Sequence, residues 1–203
     1  MSPQDHYRQA REKANEIRNS FNLTGARIMV SDLKKIYKQV GIDKVEYHDG
    51  FKGTALKGAY FNDEAGVLVM INKKLIKITD PKVFTLAHEL KHHLLDDVAM
   101  ASLCTDNNEA TITERAANIF ATELIYPTEL FVEHVKSMQI IGDLKPEHIV
   151  SLKHRTNTTL SHAGIAIRAE RLNLGSNYKD VKWLKLRDKM YPEYARFKRI
   201  RSY

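Results

Sequence analysis

Apolar residues recur at Val83, Phe84, Ala87, Leu90, Leu94 and Val98, the three-and-four spacing of a helix with one buried face. Asp80 stands where an N-cap belongs and Pro81 suits a first helical position, so a helix is predicted over 81–98. A second strong pattern runs from about Thr111 to Ile125 and stops near Pro127, with Pro127 and Pro146 each at the start of a further helix. Upstream, residues 4–19 read as a polar helix and "SDLKKIYKQVG" as another, with Ser31 as N-cap and Gly41 as its stop. Between these lie three strand-like runs, "KVEYHD", "TALKGAYFN" and "GVLVMIN", the last two joined by "NDEAG" (62–66) as a hairpin turn. Residues 146–174 suggest two helices around the polar turn "RTNTT", and 180–201 a basic, aromatic-bearing helical tail. Strands come early and helices dominate late, which predicts an α+β fold with a small antiparallel or mixed sheet. The changes in pattern divide the chain at about 135/136, into a sheet-bearing part (1–135) and a helical part (136–203).

Composition narrows the chemistry. With 203 residues, 43% of them hydrophobic, the chain can bury a substantial core. A formal charge of +7 suits an acidic partner or nucleic acid, though basic balance alone fits many soluble proteins. The single cysteine, Cys104, excludes an internal disulfide framework and any multi-cysteine zinc site, so a metal would need histidine and carboxylate ligands. The N-terminus "MSPQDHYRQAREKANEIR" has no apolar stretch and no other run reaches membrane-spanning length, from which a soluble cytoplasmic protein is expected.

The helix over 81–98 contains His88-Glu89-Leu90-Lys91-His92. At about 100° per residue the two imidazoles lie within about 40° of each other, one turn apart, close enough to share an ion. Glu89 falls roughly 60° further round, beside such an ion without pointing at it, which is where a general base is wanted. The bland alternative is a solvated polar helix face, and it is preferred for His93, about 100° from His92. Zinc holding a reactive water usually has three protein ligands. Candidates for the third are Glu114, with Asn118 one turn later to orient a ligand, then Glu109, and Cys104 in the expected loop "SLCTDNN". Thr111-x-x-Glu114 is equally a capping-box pattern, so spacing leaves the role of Glu114 open.

"NKKL", "FTLAHELKHHLL" and "ERAANIFATELIYP", in that order, resemble the ImmA/IrrE family of zinc metallo-endopeptidases, a gluzincin-like group. The resemblance is strong over about 58–130 and looser over 146–174, where "SLKHRTNTTLSHAGIAIRAERLNL" is similar to the helix-turn-helix-like segment of that family. It implies His88 and His92 as zinc ligands, Glu114 as the third and Glu89 as catalytic base. Where the family often has Gly this chain has Lys91, the better helix former. The implied substrate is a cytoplasmic helix-turn-helix repressor of a phage or other mobile element, whose hydrolysis relieves repression.

A donor for the oxyanion is not fixed by spacing: His93, Tyr126, His134, His148, His154 and His162 are all candidates. Two other function classes compete. One is a DNA-binding regulator built on 146–174 and the basic tail, with a structural metal, although two packing helices are the expectation there over DNA contact. The other is an anti-repressor that grips its target without cutting it, against which an intact Glu89 argues.

Overall fold

The computed structural model describes residues 2–49, 56–64, 66–96, 102–104 and 111–194. The first helix, α1 (Pro3–Ser20), begins with Ser2 and Asp5 capping each other's backbone N–H groups. The next, α2 (Val30–Val40), ends at Gly41, whose left-handed φ of 86° is easily reached only without a Cβ. Ser31 is not its cap: the helix already includes Val30, and the Asp32 carboxylate accepts the Met29 N–H at 2.9 Å.

Strands β1 (Lys44–His48), β2 (Gly58–Asp63) and β3 (Gly66–Asn72) follow. A short strand, β4 (Ser102–Cys104), completes a mixed sheet in the order β1-β3-β2-β4. β1 runs parallel to β3, while β2 is antiparallel to both β3 and β4. The predicted hairpin is present, with Asp63 opposite Gly66, and the sheet is mixed as expected. The segment "SLCTDNN" is not all loop, since Ser102–Cys104 pairs with Tyr60–Gly58. Three residues carry no readable period, and only the partner strand makes them a strand.

α3 (Thr79–Leu95) begins before Asp80, so Asp80 and Pro81 lie within its first turn. Proline is tolerated there because first-turn N–H groups have no partner inside the helix. Asp80 does not cap; its carboxylate accepts from Lys153 Nζ at 2.8 Å. α4 (Ile112–Ile125) is capped by Thr111 and is followed by α5 (Thr128–Ser137) behind Pro127. α6 (Pro146–Thr156), α7 (His162–Arg171) and α8 (Trp183–Met190) complete the described chain. The turn between α6 and α7 starts at Asn157 in the left-handed region, φ 50°.

α3 packs against α4 and the sheet, and α1 covers α4. Ala10 and Ala14 of α1, Val69 and Ile71 of β3, Leu86 and Leu90 of α3, and Phe120 and Leu124 of α4 are buried in one apolar cluster. Ile149, Leu152, Ile165 and Ala169 from the helical C-terminal part join the same cluster. Polar ties reinforce that seam: Arg27 donates to the Asn157 carbonyl and side chain, and the Thr159 hydroxyl to Ile28 O. No described helix is long and apolar enough to cross a membrane.

Candidate metal centre

α3 is buried almost all round. His88, Glu89, Lys91 and His92 are only 1%, 0%, 2% and 0% exposed, so the polar stretch is no solvated helix face. Burying such groups is costly unless each is paired or used. Three of them are paired. His88 Nε2 lies 3.1 Å from Glu114 Oε2 and 3.2 Å from His92 Nε2, and His92 Nε2 is 3.5 Å from Glu114 Oε1. Ligand atoms of His88, His92 and Glu114 thus fall within 4.8 Å of one another.

The outer ring nitrogens explain how the inner ones are aimed. His88 Nδ1 meets Asn118 Oδ1 at 3.2 Å, and His92 Nδ1 meets Asp96 Oδ2 at 2.6 Å. Both partners are acceptors, so each Nδ1 carries the proton and each Nε2 turns its lone pair inward. Asp96 is held in turn by Lys91 Nζ at 2.6 and 2.8 Å, and Lys91 also donates to Thr113 O at 3.2 Å. Burial alone would raise the Asp96 carboxyl, but the hydrogen bonds from His92 and Lys91 bring it below its ordinary value. Burial holds His92 below the usual imidazole range despite Asp96. Glu114 follows the Asp96 pattern in direction: burial opposes ionisation, but its contacts with His88, His92 and Lys91 bring its carboxyl below the ordinary value.

Glu89 is different. Its two carboxylate oxygens are buried with no hydrogen-bond partner among the described residues. Burial, and secondarily the Glu114 charge, push it well above the ordinary carboxylate range. It fits because β2 passes close by at a glycine: a Cβ on Gly58 would lie 2.6 Å from Glu89 Oε1 and 2.6 Å from Thr85 Cγ2. Two inward-facing imidazole nitrogens, one carboxylate and an orphaned carboxylate alongside form a donor set that suits a cation of the zinc type. A cation there would also oppose the shift on Glu89.

The four residues expected at a site, His88, Glu89, His92 and Glu114, are therefore brought together, with Asn118 behind His88. Thr111 does cap α4 through the Glu114 N–H at 3.2 Å, while the Glu114 carboxylate turns to the histidines. Glu109 lies outside the described residues, and of Cys104 only the backbone is described. His93 is half-buried and bridges elements, Nε2 donating to Val40 O at 2.8 Å and Nδ1 meeting Tyr60 OH at 3.0 Å. Gly58, Lys91 and Asp96 were not expected at the site. A glycine inside a strand and the four-residue step from His92 to Asp96 are the signals that point to two of them.

A cavity of about 480 Å³ opens beside His88 and Glu114. Its walls include residues of α3, α4 and α7. Among the described residues that line it, none of the six oxyanion candidates appears. Tyr126 and His134 pair with each other at 2.8 Å, His154 stacks on Tyr191, and His162 stacks on Trp183.

Compared with known families, the chain matches the M78 peptidase model, described as the IrrE N-terminal-like domain, over residues 44–178, more than half its length. No curated protein matches it.

Proposed function

The chain belongs to the M78 peptidase family, and from that premise we propose that it is a zinc-dependent endopeptidase. His88, His92 and Glu114 would hold one zinc ion per chain, and Glu89 would be the catalytic base. The observation that carries this reading is the orphaned, fully buried Glu89 carboxylate beside the three converging ligands. A structural metal site has no use for such a group. When bound, zinc would supply Lewis-acid polarisation of the scissile carbonyl and acidify water at the site.

The chain's own residues do the rest. Glu89 takes a proton from the attacking water and hands it to the departing amine. Asn118 and Asp96 keep the imidazoles in one tautomer and orientation, so the ligand set need not reorganise during turnover. The sheet and α3 exclude solvent from Glu89, which lets its charge act at low local dielectric.

The resemblance of "ERAANIFATELIYP" and the preceding motif supports a helix-turn-helix repressor as the protein substrate and the cytoplasm as the setting. In this reading residues 1–135 form the metallopeptidase domain and 136–203 a helical C-terminal part, of which α7 lines the cavity. The test is to mix the purified protein, zinc and a co-encoded repressor, and to compare native protein with Glu89→Gln and Glu114→Gln. Glu89→Gln should keep its zinc, measured by elemental analysis, and lose about 10²–10⁴-fold in cleavage rate. Glu114→Gln should lose zinc and cleavage together. If Glu89→Gln relieves repression in cells as well as the native protein does, the anti-repressor reading replaces this one.

A further inference from the structure

The side chains of the candidate metal centre come from two helices, His88 and His92 from α3 and Glu114 from α4, so their convergence depends on how those helices are spaced. A helix fixes its own two histidines one turn apart. Nothing within either helix fixes the carboxylate against them.

Two hydrogen bonds between α3 and α4 flank Glu114. His88 Nδ1 meets Asn118 Oδ1, one turn beyond Glu114, at 3.2 Å. Lys91 Nζ donates to the carbonyl of Thr113, the residue before Glu114, also at 3.2 Å. The second of these is part of a longer path. The same ammonium donates to both oxygens of Asp96, at 2.6 and 2.8 Å, and Asp96 Oδ2 accepts from His92 Nδ1 at 2.6 Å. All three N–H groups of Lys91 are thereby used, and a continuous chain of bonds runs from His92 through Asp96, Lys91 and Thr113 to the backbone that carries Glu114. Asp96 is the C-cap of α3 and Thr113 lies in the first turn of α4, so the ammonium also joins the two ends of the connection between these helices.

Stability alone is a poor account of this lysine. It is 2% exposed, and taking an ammonium out of water is costly. A buried ion pair commonly stabilises a fold no more than apolar side chains filling the same volume, and its best-attested use is to fix one arrangement among several. Here the arrangement it fixes is that of α3 against the start of α4. Rigid support of this kind is what a metal site needs, because its ligand atoms must stand within a few tenths of an ångström of the bound geometry.

We propose that Lys91 is a positioning residue of the metal centre, bridging the end of α3 to the start of α4 so that His92 and Glu114 stand at ion-binding separation before an ion arrives. This rests on the metal-binding reading above and is independent of which peptide, if any, is cut.

The experiment compares native protein with Lys91→Met, which keeps an unbranched side chain and removes the donors, and with Lys91→Gln, which keeps two N–H donors on a chain one atom shorter. Zinc affinity, measured by competition with a chromophoric chelator, should fall about 10–100-fold in Lys91→Met, as it does when the support behind a ligand is lost, and by a smaller factor in Lys91→Gln. Cobalt(II) taken up in place of zinc gives a second readout. Its visible bands should be weaker and shifted in Lys91→Met, because the ligands no longer hold the geometry of the native site. A lysine that served stability alone would lower the melting temperature of the metal-free protein and leave the affinity and the cobalt spectrum native, and that result in either variant that folds would overturn the proposal. A third measurement needs no variant. In the native protein, hydrogen exchange at the end of α3 and the first two turns of α4 should already be slow without metal and change little when zinc is added. If those amides exchange freely until zinc binds, the ion organises the site and the proposal fails. Should the native protein bind neither zinc nor cobalt, the metal reading itself falls, which is a different result from native affinity in the variants.

Discussion

Replacing Gly58 by alanine tests the close approach of β2 to α3, on which the position of Glu89 depends. An alanine Cβ would sit 2.6 Å from both Glu89 Oε1 and Thr85 Cγ2, where ordinary contact begins near 3.4 Å, so each must retreat by about 0.8 Å. Neither can do so freely. Glu89 is fully buried, and Thr85 is β-branched in a helix, with a stiff χ1. Overpacking of this size costs about 1–3 kcal/mol, partly offset by the lower entropy of an unfolded alanine, about 0.4–1 kcal/mol. A net loss of about 1–2 kcal/mol lowers the melting temperature by about 2–8 °C in a chain of this length. The catalytic effect is larger, because shifting a catalytic group by about 1 Å costs on the order of 10²-fold. Gly58→Ala should therefore keep its zinc by elemental analysis and lose about two orders of magnitude in peptide cleavage. Adding Thr85→Ser removes the clashing methyl and should restore much of the melting temperature but little of the rate, since the clash with Glu89 persists. A Gly58→Ala protein within threefold of native activity refutes the claim that Gly58 positions the base.

Asp96→Asn should weaken zinc binding about 10–100-fold in a chelator competition, because it loosens the acceptor behind His92. It also strands the buried Lys91 cation, so Asp96→Asn with Lys91→Met should melt higher than Asp96→Asn alone; equal melting would deny the Lys91–Asp96 pair its structural weight. Burial, with Lys153 and Arg187 nearby and only Asp80 opposing, depresses the His162 pKa from 6.5 to about 4. The unfolded chain then binds the extra proton between those values, so stability falls as pH drops from about 6.5 to about 4, by up to about 3 kcal/mol. His162→Phe keeps a ring against Trp183 and should flatten that part of the pH–melting curve; an unchanged slope would place its origin elsewhere.

What could be read from the sequence was local in origin. The turn at 62–66, the Gly41 stop, the Thr111 cap and the periodicities of α3 and α4 all depend on neighbours within a turn or a strand. The misreadings share a different cause. Asp80 has the chemistry of a cap, but Lys153, 73 residues away, claims its carboxylate. β4 exists only because β2 offers it an edge. Gly58 matters because a strand and a helix from separate segments meet there, which a single chain pattern signals only as a glycine in a strand. The placement of α7 beside the cavity is likewise invisible locally, since its amphipathic pattern describes the buried face and says nothing of what the exposed face lines.

The candidate metal-binding group was legible in its three side chains and less so in their supports, and Glu114 shows why. As a third ligand and as part of a capping box it seemed to face a choice, because one carboxylate cannot serve both. The structure divides the motif between backbone and side chain. Thr111 accepts the Glu114 N–H, which fixes the first turn of α4, and that leaves the carboxylate to reach His88 and His92. A capped helix start is rigid, and a rigid start places a ligand within the few tenths of an ångström that a metal site demands. The local signal and the long-range one therefore describe the same residue, and the cap is part of how α4 brings its carboxylate to α3.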